Sequence, residues 1–565
     1  MRILKNPITL TERWLVHLAE GAARSRAGQA MARIAPILFG LWSVAMGQDS
    51  NWDLQNYHWY NPYALLNGRL DLDMAPGQWQ SYFNPLIDVP YYLLSTTLPG
   101  PLVGFLMGYV HGLNFVLVMA IAHHVLPVRD DGQRLPLLLA IAGVCGPAFL
   151  SQLGNTMGDN LTALLVLSAL LLVLRGWDGL HAATRGMVGL MIVSGLLMGF
   201  GTGLKLTNAP YAAALCISLL TAPAPWWRRL ALAVTHGCAV LAGLLLGAGY
   251  WWMTMWERFG NPLFPQFNNI FRSPMAQQMG VIDNHHTPQS LLETVFWPLV
   301  FAFDVARVSE LPLRLVIVPV LYVVALACGA SWLLGRIASR PAQAQMPARA
   351  RFLLAFGLVA YLVWMKLFGI YRYLVPLELL APLMVWVLLQ RLAAPHAAAR
   401  IAGWLLVATS LVVFPFVTWG HAGWSSPNLS AQVPTLAAPA NTILFTAHGD
   451  PPVGWLATFF PPEVRVISVT GAFPESPAWL ERIQAAVTSR PGPHYVILST
   501  SHAGQADSQQ RRQAIAEQDR VRMQHAKEQL ARYRLRIDGG ACSTYAAAIG
   551  KISIPYRLCS VTVAP

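Results

Sequence analysis

From Ser50 to Arg69 the chain reads SNWDLQNYHWYNPYALLNGR, a run of acids, amides and aromatics directly after the first apolar segment. Asp49 and Asp53 stand at its start, and Tyr57, His58, Tyr60, Asn61, Tyr63 and Arg69 follow at close intervals. Asp53 to Tyr57 and Tyr57 to Asn61 are each four residues apart, so on a helix Asp53, Tyr57, Tyr60 and Asn61 share one face. A carboxylate held there, flanked by Trp52, Trp59 and Tyr60, could take a proton from a hydroxyl as general base. The plain alternative is an interfacial aromatic belt whose acids only mark the outer side of a membrane. Asn56, His58 and Asn61 supply hydrogen-bonding groups beyond what a belt needs.

Further groups of this kind recur along the chain. QSYFNPLIDVPYYLL, Gln80 to Leu94, reads as an interfacial helix carrying Asp88 in a structural role. GNTMGDN places Asp159 at the head of an apolar helix, where it either favours the helix N-terminus or serves a site. GTGLKLTNAPY puts Lys205 in a short turn, able to meet a phosphate or to snorkel towards the interface. DNHHTP carries Asp283, His285 and His286, but adjacent histidines lack the spacing that aims two imidazoles at one ion, so no metal is expected. Spacing alone leaves open a divalent cation shared by carboxylates of different loops. KLFGIYRYLVPLE sets Arg372 and Tyr373 in a tight turn, where a guanidinium suits a phosphate oxygen pair. Pairing of Arg372 with Glu378 or Asp159 is the structural alternative.

The elements that must position these groups follow from composition. Of the 565 residues 55% are hydrophobic and 12% charged, and the mean hydropathy of +0.45 marks a polytopic membrane protein. About eleven apolar runs approach the length a spanning helix needs: 34–48, 100–125, 135–152, 157–174, 186–203, 207–222, 230–252, 312–335, 352–369, 373–390 and 401–420. The net charge of +13 then reports orientation and excludes nucleic acid as a partner. Arg2, Lys5, Arg13, Arg24, Arg26 and Arg33 hold the N-terminus in the cytoplasm. Alternate loops carry Arg129 and Arg134, Arg175 and Arg185, Arg228 and Arg229, then Arg336, Arg340, Arg349 and Arg351, then Arg391 and Arg400. The remaining loops are acidic by comparison, which puts Asp53, Asp159, Lys205, His285 and Arg372 together on the outer face.

Residues 1–420 thus form a transmembrane domain, and 421–565 an outer soluble domain. In the latter TILFT, RVISV and HYVILST read as strands, while PAWLERIQAAV and Gln509 to Arg534 read as helices of a small α/β fold. Cys542 and Cys559 could pair there if it faces an oxidising compartment. Cys145, Cys216, Cys238 and Cys328 lie in apolar segments as small hydrophobes.

The pattern resembles the GT-C superfamily of membrane glycosyltransferases, which use polyprenyl-phosphate sugars. The likeness lies in WDLQNYHWYNPYALLNGR, the GDN turn before an apolar helix, GFGTGLKLTNAP, and GNPLFPQFN with YRYLVP. It covers most of residues 30 to 390. It implies a polytopic helical GT-C-like fold and transfer of a sugar from a polyprenyl-phosphate donor to a lipid, glycan or protein acceptor. The reaction would lie on the periplasmic face of a bacterial inner membrane, inverting and without a cofactor. Asp53 matches the family's base, with Asp49 its rival because no acidic pair stands in succession here. Arg372 matches the phosphate ligand and Lys205 a second cation, while Tyr57, His58, Asn61, Arg69, Asp159, His285 and Tyr373 are the further substrate-binding candidates. A lipid-linked glycan flippase, or a scaffold for envelope-polysaccharide assembly, are the alternatives. A flippase would carry polar groups along a path through the membrane, whereas these charges cluster at one face.

Overall fold

The computed structural model describes residues 25–127, 134–180, 185–280, 284–337, 345–447, 449–500 and 509–563. Arg2, Lys5, Arg13, Arg24, Arg129, Asp283 and Arg340 lie outside these residues.

Every apolar run named above contains a helix. Among the described residues six helices are long and apolar enough to cross a membrane: Gly100–Val125, Gly186–Leu204, Trp226–Phe259, Ile317–Ile337, Ala348–Leu367 and Tyr371–Leu392. The apolar stretch of the first helix, Ala30–Met46, and the helices Arg134–Val144 and Leu206–Thr221 are shorter. The run 135–152 divides into Arg134–Val144 and Pro147–Ser151, because Pro147 starts a helix readily and cannot continue one. The helix Leu291–Phe303 was not expected from the sequence. In its most apolar stretch the segment Tyr371–Leu392 has 83% of its residues buried, against 22% for Ile317–Ile337, so the turn carrying Arg372 belongs to the most enclosed of these six helices.

Two helices approach most closely through glycine. A Cβ on Gly199 would lie 1.9 Å from the Val240 carbonyl oxygen, and one on Gly243 would lie 2.2 Å from that of Leu196. Small residues of this kind let helix backbones touch where lipid gives no hydrophobic drive to associate.

The stretch after the first helix does not run as one α-helix. Leu54–His58 is a π turn closed by the Trp59 N–H donating to the Leu54 carbonyl at 3.3 Å, and the α-helix Tyr60–Leu66 follows. Gln80 to Leu94 is likewise not a single interfacial helix. It comprises 3-10 turns at Gln78–Tyr82 and Pro85–Ile87, then the helix Val89–Thr97.

Beyond the last bundle helix, Pro395–Val412, a five-stranded sheet forms in the order Arg465–Ser468, Ile443–Thr446, His494–Ser499, Tyr556–Val563, Leu535–Tyr545. The first three strands are parallel, with Ile443 opposite Arg465 and Leu444 opposite Tyr495, and Tyr556–Val563 runs antiparallel to both of its neighbours. The strands at 535–545 and 556–563 were not foreseen, and a disulfide joins Cys542 to Cys559 across them. This α/β region shares its cores with the first loop. Met74, Tyr82 and Phe264 pack with Phe445, Phe473 and Trp479, and Leu54, Trp59 and Tyr60 pack with Leu444, Trp455 and Tyr556. Gln48–Asp49 pairs as a strand with His421–Ala422.

Candidate active site

Where the helix ends, the first loop and the 260–280 loop meet, they enclose a cavity of about 440 Å³. Its lining includes Asp53, Tyr57, His58, Lys205, Arg372 and Tyr373.

Asp53 sits at the N-terminus of the π turn and is 8% exposed. Its Oδ2 lies 3.4 Å from Arg372 Nη1, and the same nitrogen is 3.9 Å from Asp159 Oδ2. Arg372 also donates to Met157 Sδ at 3.1 Å and stacks over the rings of Tyr373 and Trp419, with centroids 5.0 and 5.4 Å away. Its buried Nε meets no partner in the protein. The guanidinium is therefore held between two rings and two carboxylates, the environment that suits a fixed cation for an anion. Glu378 is not its partner: that carboxylate accepts from the backbone N–H groups of Ala148 and Phe149 at 3.3 and 3.1 Å.

Asp159 opens the helix Asp159–Arg175 and is 2.6 Å from Lys205 Nζ. The turn before it needs Gly158, whose φ of +82° places the next residue, and a Cβ there would meet Ile87 at 2.9 Å. Burial pushes the Lys205 ammonium down from its ordinary pKa, and Asp159 opposes that shift. Burial and the Asp53 charge push the Tyr57 phenol up, so it stays a neutral hydroxyl beside the carboxylate.

Several expected site residues are placed elsewhere. Asp49 is 2% exposed and fully occupied. It accepts from Asn51 N at 3.0 Å, Asn51 Nδ2 at 2.8 Å, Thr156 N at 2.8 Å and Thr156 Oγ1 at 2.7 Å. It does not line the cavity, and its bonds to Asn51 and Thr156 join the start of the first loop to the turn before Asp159. Arg69 pairs with Asp73 at 2.8 Å and donates to the carbonyls of Pro462 and Val464. It ties the first loop to the α/β region and does not line the cavity. Asn61 Nδ2 donates to the Gln80 carbonyl at 2.9 Å and Tyr60 donates to Asp73 Oδ2 at 2.8 Å. Neither residue lines the cavity, because the π turn shifts everything after it off the face that a uniform helix would present. His285 does not line the cavity, and its neighbour His286 faces the Arg307 carbonyl at 3.2 Å. No group of three or more His, Cys, Asp or Glu side chains able to hold a metal ion occurs among the described residues.

Other lining residues were not singled out as site residues. Trp79, Phe83, Asn84, Trp252 and Phe264 line the cavity, and so does Asp88, which had been read as structural. Asn84 Nδ2 donates to the carbonyls of Gly203 and Gly247 at 3.0 and 2.8 Å, pinning the first loop to the helices Gly186–Leu204 and Trp226–Phe259. The sequence signal for Phe264 was GNPLFPQFN, noted only as part of the resemblance.

No family model and no curated protein matches the chain. Among solved structures it is similar to the archaeal oligosaccharyltransferase AglB from Archaeoglobus fulgidus in complex with an inhibitory peptide and a dolichol-phosphate. That match has 12% identity and a TM-score of 0.42, over 83% of this chain and 69% of the other. It is also similar to ArnT from Cupriavidus metallidurans bound to undecaprenyl phosphate, at 14% identity and a TM-score of 0.37 over 94% and 97% of the two chains. The apo form of ArnT gives 13% identity and a TM-score of 0.38 over 97% and 98%. At TM-scores below 0.5 these similarities assign neither an activity nor a residue.

Proposed function

We propose that this chain transfers a sugar, with inversion, from a polyprenyl-phosphate donor to an acceptor at the outer face of a bacterial inner membrane. The observation that carries the reading is a carboxylate, Asp53, sharing one cavity with two cations, Arg372 and Lys205, at the ends of helices suited to a bilayer. The acceptor hydroxyl gives its proton to Asp53 as its oxygen bonds to the anomeric carbon. The bond from that carbon to the phosphate oxygen breaks, and its electron pair leaves with the polyprenyl phosphate. Arg372 and Lys205 are the groups that meet the charge gathering on that oxygen. The planar fork of Arg372 suits two phosphate oxygens, and its unpartnered Nε is a donor still to be used.

Purified protein incubated with a panel of polyprenyl-phosphate sugars should release polyprenyl phosphate with at least one of them. Asp53→Asn should lower that release by at least ~100-fold, the usual span of general-base catalysis, while the variant elutes as a folded protein. Absence of turnover with every donor would favour a transporter, and full activity of the variant would remove Asp53 from the role.

A further inference from the structure

The cavity holds a buried pair that the transfer step does not use. His58 Nδ1 lies 2.7 Å from Asp88 Oδ1, both residues are 3% exposed, and both line the cavity beside Asp53. Burial pushes the Asp88 carboxyl up, and His58 opposes that shift. The local backbone is built to bring the imidazole here. An α turn starting at Asp53 would return Asn56 and Tyr57 to the same face, whereas the π turn Leu54–His58, one residue wider, brings Tyr57 and His58 to the cavity. π turns of this kind recur at functional sites.

The Asp88 carboxylate, 2.7 Å from Nδ1, favours the tautomer with its proton on that nitrogen, which leaves Nε2 as a lone-pair acceptor. Both ring nitrogens are buried, and neither makes a hydrogen bond of good geometry within the protein. A histidine serving only the fold would spend both nitrogens on protein groups, since an orphaned buried polar atom is costly. A neutral acceptor repels phosphate oxygens and calls for a hydroxyl donor. The Tyr57 ring, centred 4.1 Å from that of His58, and Phe83, in edge contact with Tyr57 at 5.5 Å, give the same place an aromatic surface.

We propose that His58, positioned by Asp88, accepts a hydrogen bond through Nε2 from a hydroxyl of the carbohydrate in the cavity, and so selects donors that carry it. This rests on the sugar-transfer reading above. A site built to bond a hydroxyl discriminates strongly against the analogue lacking it, because its own polar group is then stranded.

The test uses the full-length protein, the polyprenyl-phosphate sugar that it turns over, and the set of monodeoxy analogues of that sugar. Wild type should disfavour one analogue by ~100-fold or more in kcat/KM. His58→Ala should lose that preference, mainly through a higher KM for the parent sugar. His58→Gln, whose Oε1 can stand in for Nε2, should restore the preference, which a purely structural role would not require. The proposal is overturned if wild type treats all the analogues alike, if His58→Ala keeps the preference, or if His58→Gln folds and lacks it. No turnover by wild type with any parent donor overturns the transfer reading and this role together. That failure is read on wild type alone, so the two are separable.

Discussion

Asp49 and Asp53, four residues apart, do opposite work, and the difference lies in what each carboxylate has left to give. Asp53 keeps its oxygens at the cavity beside a guanidinium. Asp49 spends its own on Asn51 and on Thr156, 107 residues away in sequence. Asn51 in turn accepts from the Leu54 N–H at 2.7 Å, at the entrance to the turn carrying Asp53. Thr156 lies in the turn that leads to Asp159. One buried acid thus joins the segment carrying Asp53 to the turn that precedes Asp159. Asp49→Ala would strand these donors, and hydrogen bonds to a charged group contribute about 1.5–3 kcal/mol each. A loss of at least about 2 kcal/mol is expected in chemical unfolding of the detergent-solubilised protein; wild-type stability would refute the framework role. Spacing in the first loop could nominate both acids but not choose between them, because the choice depends on where Thr156 and Arg372 arrive. Arg372 itself was legible, since a guanidinium beside an apolar segment needs an anion or a cavity.

At the scale of elements, hydropathy located the helices well, since each must bury or expose an apolar length set by the bilayer. It could not show where they break or which pairs touch. The π turn is invisible to residue spacing, and it is why Tyr60 and Asn61 left the face assigned to them. Glycines at 195, 199 and 203, with 243 and 247 on the partner helix, stood in the sequence at four-residue intervals, yet their meaning depends on which helix comes to meet them. The packing they allow sets the ends of both helices, and hence Lys205 and Trp251, against the cavity. Gly199→Ala would drive a methyl to 1.9 Å from the Val240 oxygen, so the backbones must part. Overpacking of this kind costs about 1–3 kcal/mol, to be read as a lowered Tm in detergent. Gly189 is the internal control: a Cβ there meets nothing within 4 Å, and Gly189→Ala should leave Tm unchanged or raise it slightly, as alanine favours helix. Equal effects at the two positions would exclude close approach as the cause.

For the whole molecule, the α/β character of the C-terminal region was readable from its short β-rich runs, but its relation to the rest was not. No local pattern announces that Asp73 accepts from the Val466 N–H at 2.8 Å or that Arg69 reaches the carbonyl of Val464 at 2.6 Å. Through such contacts the region completes the cavity. Tyr82 and Phe264 both line it, and their outer faces rest on Phe473 and Trp479. The 260–280 loop is further held by the Gln277 N–H donating to the Pro474 carbonyl at 2.8 Å and by the Ser476 hydroxyl donating to that of Pro274 at 2.5 Å. If the region were a separate appendage, emptying its core would leave transfer intact. If it is the back of the cavity wall, Trp479→Ala should remove the support of two lining rings. The substitution costs about 3–5 kcal/mol as a buried large-to-small change. The expected signature is a raised KM for the donor together with faster protease cleavage within 421–563, under conditions where the bundle stays intact. Faster cleavage with an unchanged KM would show that the wall stands without its buttress.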